Sequence, residues 1–172
     1  MLRPIRLAQA HTVVEFGPGT GPMTRDLLAA MPEDSRLFAF EISPRFAEYL
    51  RESIDDPRLI LVEDSAENLG RHLRSHGVDK VDAVVSSLGL TIMPEPVRDR
   101  IFEKLTDYIH DDTVVTQFQY LHGLVFRSPL EIEKLRRFNS ELFLRQHFEN
   151  VTSDLVWRNL PPAVVYTCKR SR

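Results

Sequence analysis

Val13-Val14-Glu15-Phe16-Gly17-Pro18-Gly19-Thr20-Gly21 decides the reading of this chain. An apolar run closes on an acid, and alternate glycines follow. The run cannot continue as a strand through Gly17 to Gly21, and Thr24 to Ala30 then shows a helical pattern, so the stretch predicts a strand, a tight turn and a helix. Glycine leaves no Cβ between the main chain and a ligand and permits positive φ in the turn. The N–H groups at the helix start favour negative charge.

The glycine spacing is G-x-G-x-G, whereas a dinucleotide fingerprint requires G-x-G-x-x-G. Glu15 would repel a pyrophosphate and welcome an amino group. A ligand with an ammonium, a carboxylate and a ribose fits these residues better, and S-adenosylmethionine is such a ligand. Gly17, Gly19, Thr20 and Gly21 form its expected cradle. Arg36 to Glu41 is a second short apolar run ending in an acid, followed by a helical stretch from Pro44 to Arg51. Glu41 lies twenty residues beyond Gly21, where a strand-end carboxylate can accept both ribose hydroxyls. Ile42 beside it counts with the cofactor residues. Leu59 to Ala66 reads as a third strand closing on acids. Asp64 is placed to accept from an adenine amine, with Ser65 and Ala66 alongside, and Ser65 can equally cap the helix from Ala66 to Arg74. Val81 to Ser87 is a fourth strand, whose end at Ser86 would face the reacting methyl group.

Four continuous apolar strands, each followed by a helical stretch, describe an α/β protein with a parallel sheet covered on both faces. Ligands in such sheets bind beyond the carboxyl ends of the strands, where these acids lie. The helix after Met93 carries Val97, Ile101, Leu105 and Tyr108 on one apolar stripe. Thr113 to Tyr120 is a fifth strand. Ser128-Pro129-Leu130-Glu131 is a capping box opening a helix to about Gln146. Phe148 to Trp157 and Ala163 to Cys168 are two more strands, and the short joint between them makes the pair antiparallel. Seven mostly parallel strands with a C-terminal antiparallel hairpin is the Rossmann-like arrangement of class I methyltransferases.

The 172 residues fit one such domain, residues 1–172. One cysteine, Cys168, excludes an internal disulfide and reads as a buried apolar thiol. No apolar run reaches the roughly 18 residues of a membrane span, and Met1 to Ala10 lacks a signal-peptide core, so a cytoplasmic location is expected. A net charge of −3 argues against a general nucleic-acid binder. Basic residues are scattered: Arg3 and Arg6, then Arg136, Arg137 and Arg145, then Lys169, Arg170 and Arg172. They read as solvated faces or as contacts to anionic lipid. His72 and His76 are spaced i, i+4 but lack the H-E-x-x-H glutamate, so they read as surface polar residues and no metal is expected.

Val13 to Leu28, the Val-Asp-Ala-Val-Val-Ser of 81–86 and above all Val156-Trp157-Arg158-Asn159-Leu160-Pro161-Pro162-Ala163 resemble the soluble bacterial phospholipid N-methyltransferases. The resemblance covers nearly the whole chain and implies methylation of phosphatidylethanolamine towards phosphatidylcholine, at the inner face of the cytoplasmic membrane. Two departures stand out. The family usually carries an amphipathic segment before the glycine strand, whereas eleven residues precede Thr12 here, so that segment is expected to be short or missing. Where the family tends to show Gly-Leu-Pro after the fourth strand, this chain has Ser87-Leu88-Gly89-Leu90-Thr91.

The expected chemistry is alignment of an amine with an activated methyl group. Tyr120 and Ser86 are the candidates to accept a proton or orient the amine. Trp157, Phe118 and Tyr120 could offer π faces to cationic products, although Trp157 also reads as core. Arg158 and Asn159 could hold the lipid phosphate. Two other readings remain at this point. Glu15 to Thr24 also resembles the opening motif of RNA adenine N6-dimethyltransferases, but the Asn-Leu-Pro-Tyr type run they need after the fourth strand is Ser86-Ser87-Leu88-Gly89 here. A catalytically silent cofactor-binding module is the other, and the intact acids at 15, 41 and 64 count against it.

Overall fold

The computed structural model describes residues 2–120, 138–157 and 162–170. Seven strands form one sheet: β1 (Thr12–Phe16), β2 (Arg36–Phe40), β3 (Leu59–Val62), β4 (Val81–Ser86), β5 (Ile109–Tyr120), β6 (Asn150–Val156) and β7 (Ala163–Lys169). Their order across the sheet is β3-β2-β1-β4-β5-β7-β6. The first five are parallel, and β7 runs antiparallel to both β5 and β6. The sheet is thus mostly parallel with an antiparallel C-terminal hairpin, as the apolar runs and the short final joint predict.

Helices α1 (Pro22–Ala30), α2 (Pro44–Ser53), α3 (Leu69–Ser75) and α4 (Glu95–Thr106) connect the parallel strands, and α5 (Ser140–Leu144) precedes the hairpin. Val13 and Val14 show why the central strands are apolar throughout. Successive side chains point to opposite faces, and both residues are fully buried. Val14 packs with Phe38, Val84, Leu73, Ile101, Leu105 and Phe143. Val13 packs with Leu37, Ala83, Leu27, Leu28 and the N-terminal Ile5.

Several boundaries differ from the sequence reading for local reasons. β5 begins at Ile109, and its pairing with β4 jumps from Val81↔Ile109 to Ala83↔Val114. The exposed Asp111 and Asp112 bulge out there. Thr113 secures the bulge, its hydroxyl donating to the Val81 carbonyl at 2.6 Å and accepting from the His110 N–H at 2.9 Å. The helix expected from Ala66 starts as a 3-10 turn, Ala66–Asn68, before α3. Of the helix expected over 128–146, the part through 137, including the capping box, lies outside the described residues. The described part is not one continuation, because Asn139 is extended and its side chain accepts from the Leu142 N–H at 3.1 Å, capping α5 anew. β6 starts at Asn150, and Phe148 is buried against Phe102 rather than paired in the sheet.

Candidate functional site

Pairing register places the carboxyl ends of the parallel strands on one rim. Phe16 stands opposite Phe40 and Ser86, Phe40 opposite Val62, and Ser86 opposite Gln117. Chain reversal at the centre of this rim depends on the glycines. Gly21 caps α1 with φ 78°, and a Cβ there would lie 2.5 Å from Leu50 Cδ2. Gly19 has φ 57° and nothing within 4 Å of where its Cβ would be, so its face of the turn is open to a ligand.

Three acids stand at the carboxyl ends of the first three strands. Glu41 is buried, accepting from the Gly19 N–H at 3.0 Å on Oε2 and from the Ser43 N–H at 2.9 Å on Oε1. Each oxygen keeps a lone pair for a further donor. Glu15 is deeper, only 1 % exposed. Its Oε2 accepts from the Thr24 hydroxyl at 2.8 Å, while Oε1 has no partner among the described residues. Burial, with Glu41 nearby adding repulsion and the Thr24 bond opposing, lifts its carboxyl to about 7. Such a group is poised between an uncharged acid and a partner for a cation.

Asp64 is engaged on all sides. Oδ1 accepts from the Ser65 N–H at 2.8 Å and from Asn68 Nδ2 at 2.9 Å, and Oδ2 takes Arg71 Nη2 and, at 2.8 Å, His72 Nε2. The His72 contact above all, then Asn68, holds its carboxyl well below the usual carboxylate range. An adenine amine could bond Asp64 only if one donor gave way, and Arg71, with a side chain 68 % exposed, is the loosest held. The sequence reading of His72 as a surface residue is corrected here: it is half-buried, bonds Asp64 and stands edge-on to Phe40 with ring centres 5.7 Å apart. His76, one turn on, stays exposed as the sequence reading had it, its Nδ1 2.9 Å from the His72 carbonyl. Ser65 does cap the turn that follows, accepting from the Glu67 N–H.

Ser86 is buried at the end of β4, and its Oγ accepts weakly from the Leu88 N–H at 3.4 Å. Sequence reasoning missed its neighbour Gln117. That side chain is fully buried, and its Nε2 donates to the carbonyls of Leu88, at 2.9 Å, and Phe118, at 2.7 Å, leaving Oε1 without a partner among the described residues. The available signal was a long polar side chain in the interior of a strand, between Thr116 and Phe118.

Tyr120 extends three residues beyond Gln117, half-exposed, with its ring edge-on to Phe118 at 4.6 Å. Tyr120 pairs with Ala163, and Ala163 with Val156, so Trp157 leaves β6 on the same rim. Trp157 is 72 % exposed, which overturns the core reading. The hairpin joint puts it past the last pair, where no described element covers it. Arg158 and Asn159 lie outside the described residues. Ile42 is also widely exposed on the rim, consistent with a ligand ring lying against it.

The basic termini gather elsewhere. A cleft of about 680 Å³ at the opposite, amino end of the sheet is lined by Arg6, Lys169 and Arg170 together with Asp82, His110, Asp111 and Asp112. Its mixed charge and its position do not suit these three cations to holding lipid beside the glycine turn. Arg136, Arg137 and Arg172 lie outside the described residues, and Arg145 is tied to Glu141 at 2.8 Å. Cys168 is fully buried, and burial pushes its thiol up to about 12, out of the range of a nucleophile at neutral pH. Among the described residues no helix is long and apolar enough to cross a membrane.

The methyltransferase domain family matches residues 13–112, from β1 through the start of β5. The chain belongs to this family. It is a class I methyltransferase, and S-adenosylmethionine is its cofactor. The open face at Gly19, the spare acceptor capacity of Glu41 and the orphaned Oε1 of Glu15 fit that ligand's carboxylate, ribose and ammonium. Among curated proteins the methyltransferase is 28 % identical to the ornithine lipid N-methyltransferase of Singulisphaera acidiphila over 169 residues, covering 98 % of this chain and 80 % of that protein. It is 36 % identical to the ribosomal RNA small subunit methyltransferase H of Burkholderia ambifaria over 73 residues, which cover 42 % of this chain and 23 % of that protein. Among solved structures it matches the O-methyltransferase TomG of Streptomyces achromogenes with TM-score 0.70 and 21 % identity, over 96 % of this chain and 76 % of that one. Precorrin-6y C5,15-methyltransferase of Geobacter metallireducens matches with TM-score 0.68 and 17 % identity, over 99 % and 85 % of the two chains. At these identities the two structures speak for the fold.

Proposed function

We propose that this methyltransferase transfers the methyl group to the amine of a lipid head group, phosphatidylethanolamine being the acceptor the sequence points to. The observation that carries this reading is the likeness to a lipid N-methyltransferase along 98 % of the chain. The likeness to the ribosomal RNA enzyme covers less than half of it. Ornithine, like ethanolamine, offers a primary amine on a short flexible chain, so the two acceptors ask for one kind of site. The exposed Trp157 and Tyr120 at the mouth of that site suit a substrate that stays partly in a bilayer, because amphipathic aromatics favour the membrane interface.

When bound, S-adenosylmethionine supplies a methyl group already activated by its sulfonium. The chain's own work is placement. Glu41 would hold the ribose, the open Gly19 turn would take the carboxylate, Glu15 would meet the ammonium, and Asp64 would receive the adenine amine in exchange for Arg71. Ser86 and Tyr120 are the groups that orient the acceptor nitrogen and take up its proton. Incubation of the protein with labelled S-adenosylmethionine and either mixed lipid vesicles or ribosomal RNA tests this reading. Label in an amine-bearing lipid is expected. Label in RNA adenine, or in neither, overturns it.

A further inference from the structure

Arg98 is a buried cation whose Nε finds no hydrogen-bond acceptor among the described residues. It lies in the first half of α4, and its side chain is only 10 % exposed. The guanidinium carbon sits 4.1 Å from the ring centre of Phe138 and 4.7 Å from that of Phe143. Nη1 reaches the Leu90 carbonyl at 3.5 Å, the limit for such a bond. Nε has no acceptor. Its one ion-pair partner among the described residues is the adjacent Asp99, 3.5 Å from Nε and itself well exposed. A guanidinium is always charged and carries five N–H donors in its plane. Ring faces attract the charge but accept none of those in-plane N–H bonds. Burying such a group without filling its donors is costly, and an anion is what fills them best.

Arg98 is also joined to the reaction rim. The loop after β4 begins with the Ser87 N–H donating to the Phe16 carbonyl at 2.9 Å. Leu88 Cδ2 would lie 3.6 Å from a Cβ on Gly17. One end of this loop therefore rests on the cofactor turn, and Leu90, midway along it, meets Arg98 Nη1.

We propose that Arg98 is the binding site for the anionic group of the acceptor's head group, a phosphate or a carboxylate set a few bonds from the reacting amine. This rests on the lipid N-methyltransferase reading. Phosphatidylethanolamine carries a phosphate at that distance from its amine, and ornithine carries a carboxylate. Either group can take two in-plane N–H bonds from the guanidinium edge. The proposal assigns to Arg98 the grip that the sequence suggested for Arg158.

The test compares the full chain with R98M, which keeps the bulk and removes the charge, and R98K, which keeps the charge and loses the fork. Glycerophosphoethanolamine and Nα-acetylornithine are titrated into each with S-adenosylhomocysteine present, cofactor affinity and thermal unfolding are recorded, and turnover is measured on vesicles of either lipid. R98M is expected to lose about tenfold or more in affinity for one head group, to raise KM for the matching vesicles, and to leave cofactor affinity unchanged, with R98K intermediate. The head group that suffers tells phosphate from carboxylate. If neither head group binds the parent, or both bind R98M as well as the parent, Arg98 only stacks on its two rings and the proposal fails. Should R98M not fold, R98K decides: weaker head-group binding supports the site, and unchanged binding overturns it. Head-group binding that needs Arg98 without methyl transfer to either lipid would sink the lipid reading and keep the anion site. Lipid turnover indifferent to R98M would sink the site alone.

Discussion

Gln117 Nε2 donates to the Leu88 carbonyl at 2.9 Å, tying the loop after β4 to the end of β5 from inside the protein. That bond fixes the wall between Ser86 and the rest of the rim. Leu88 leans over the glycine turn, so a slack loop would disturb the acceptor's side of the site before the cofactor's.

Replacing Gln117 by Leu keeps the volume and removes both donations, and leaving the two carbonyls short of partners should cost about 1–3 kcal/mol of stability. Methyl transfer should fall, with KM for the acceptor rising and cofactor affinity nearly unchanged. Steady-state kinetics alongside cofactor titration check this. Gln117→Glu should remain active only while its carboxyl is protonated, because the carboxylate would face two carbonyl oxygens, so its rate should drop as pH rises.

Glu15 makes a pH prediction whose sign follows from its raised carboxyl. Folded, it titrates near 7, and unfolded near 4.5. Between those values the folded protein holds the extra proton, so stability from this group is fully present below about 4.5 and is lost as pH rises through 7. At about 1.4 kcal/mol per unit the loss is on the order of 3 kcal/mol. Glu15→Gln should flatten that part of the stability profile in denaturant unfolding at several pH values. If the ammonium of S-adenosylmethionine pairs with ionised Glu15, cofactor binding at pH 6 should release a proton, seen as a buffer-dependent calorimetric heat that the Gln variant lacks.

Asp64 and Arg71 make a competition. Removing Arg71 by Arg71→Ala should tighten cofactor binding several-fold, because one Asp64 lone pair becomes available to the adenine amine, whereas Asp64→Ala should weaken it. Calorimetric titration separates the outcomes. Weaker binding in Arg71→Ala would mean that Arg71 itself helps to hold the cofactor.

Trp157→Ala should leave cofactor affinity and the rate on a soluble amine head group unchanged, yet reduce co-sedimentation with vesicles and turnover on them. Substitution of Lys169 and Arg170, which lie at the far end of the sheet, should alter vesicle binding little.

The sheet and the cofactor turn were legible in the sequence because their signals are local. Val13 to Gly21 carries a strand, a stop and a helix start within one window, and each apolar run ending at Glu41, Asp64 or Ser86 says where a carboxyl edge lies. The acceptor side was not legible in the same way. Arg98 sits on a helix whose pattern reads as amphipathic core, and only packing shows that it turns towards Leu90 between Phe138 and Phe143. Gln117 lies among mixed polar and apolar residues of β5, and the Leu88 carbonyl that it meets belongs to a loop whose path no periodicity predicts. Trp157 read as core on composition, and the register of the hairpin is what leaves it bare. The bulge at Asp111 and Asp112 was hidden because two adjacent acids carry no strand pattern, so the strand reads as starting only at Thr113.

The most direct measurement is mass spectrometry of lipids after incubation of the protein with S-adenosylmethionine and vesicles containing phosphatidylethanolamine, with ornithine lipid in a parallel arm, locating any added methyl group by fragmentation. The account predicts methyl groups on the head-group nitrogen of one of these lipids, absent when Glu41 is replaced by Ala. Unmodified lipids in both arms, with the protein folded and S-adenosylmethionine bound, would contradict it.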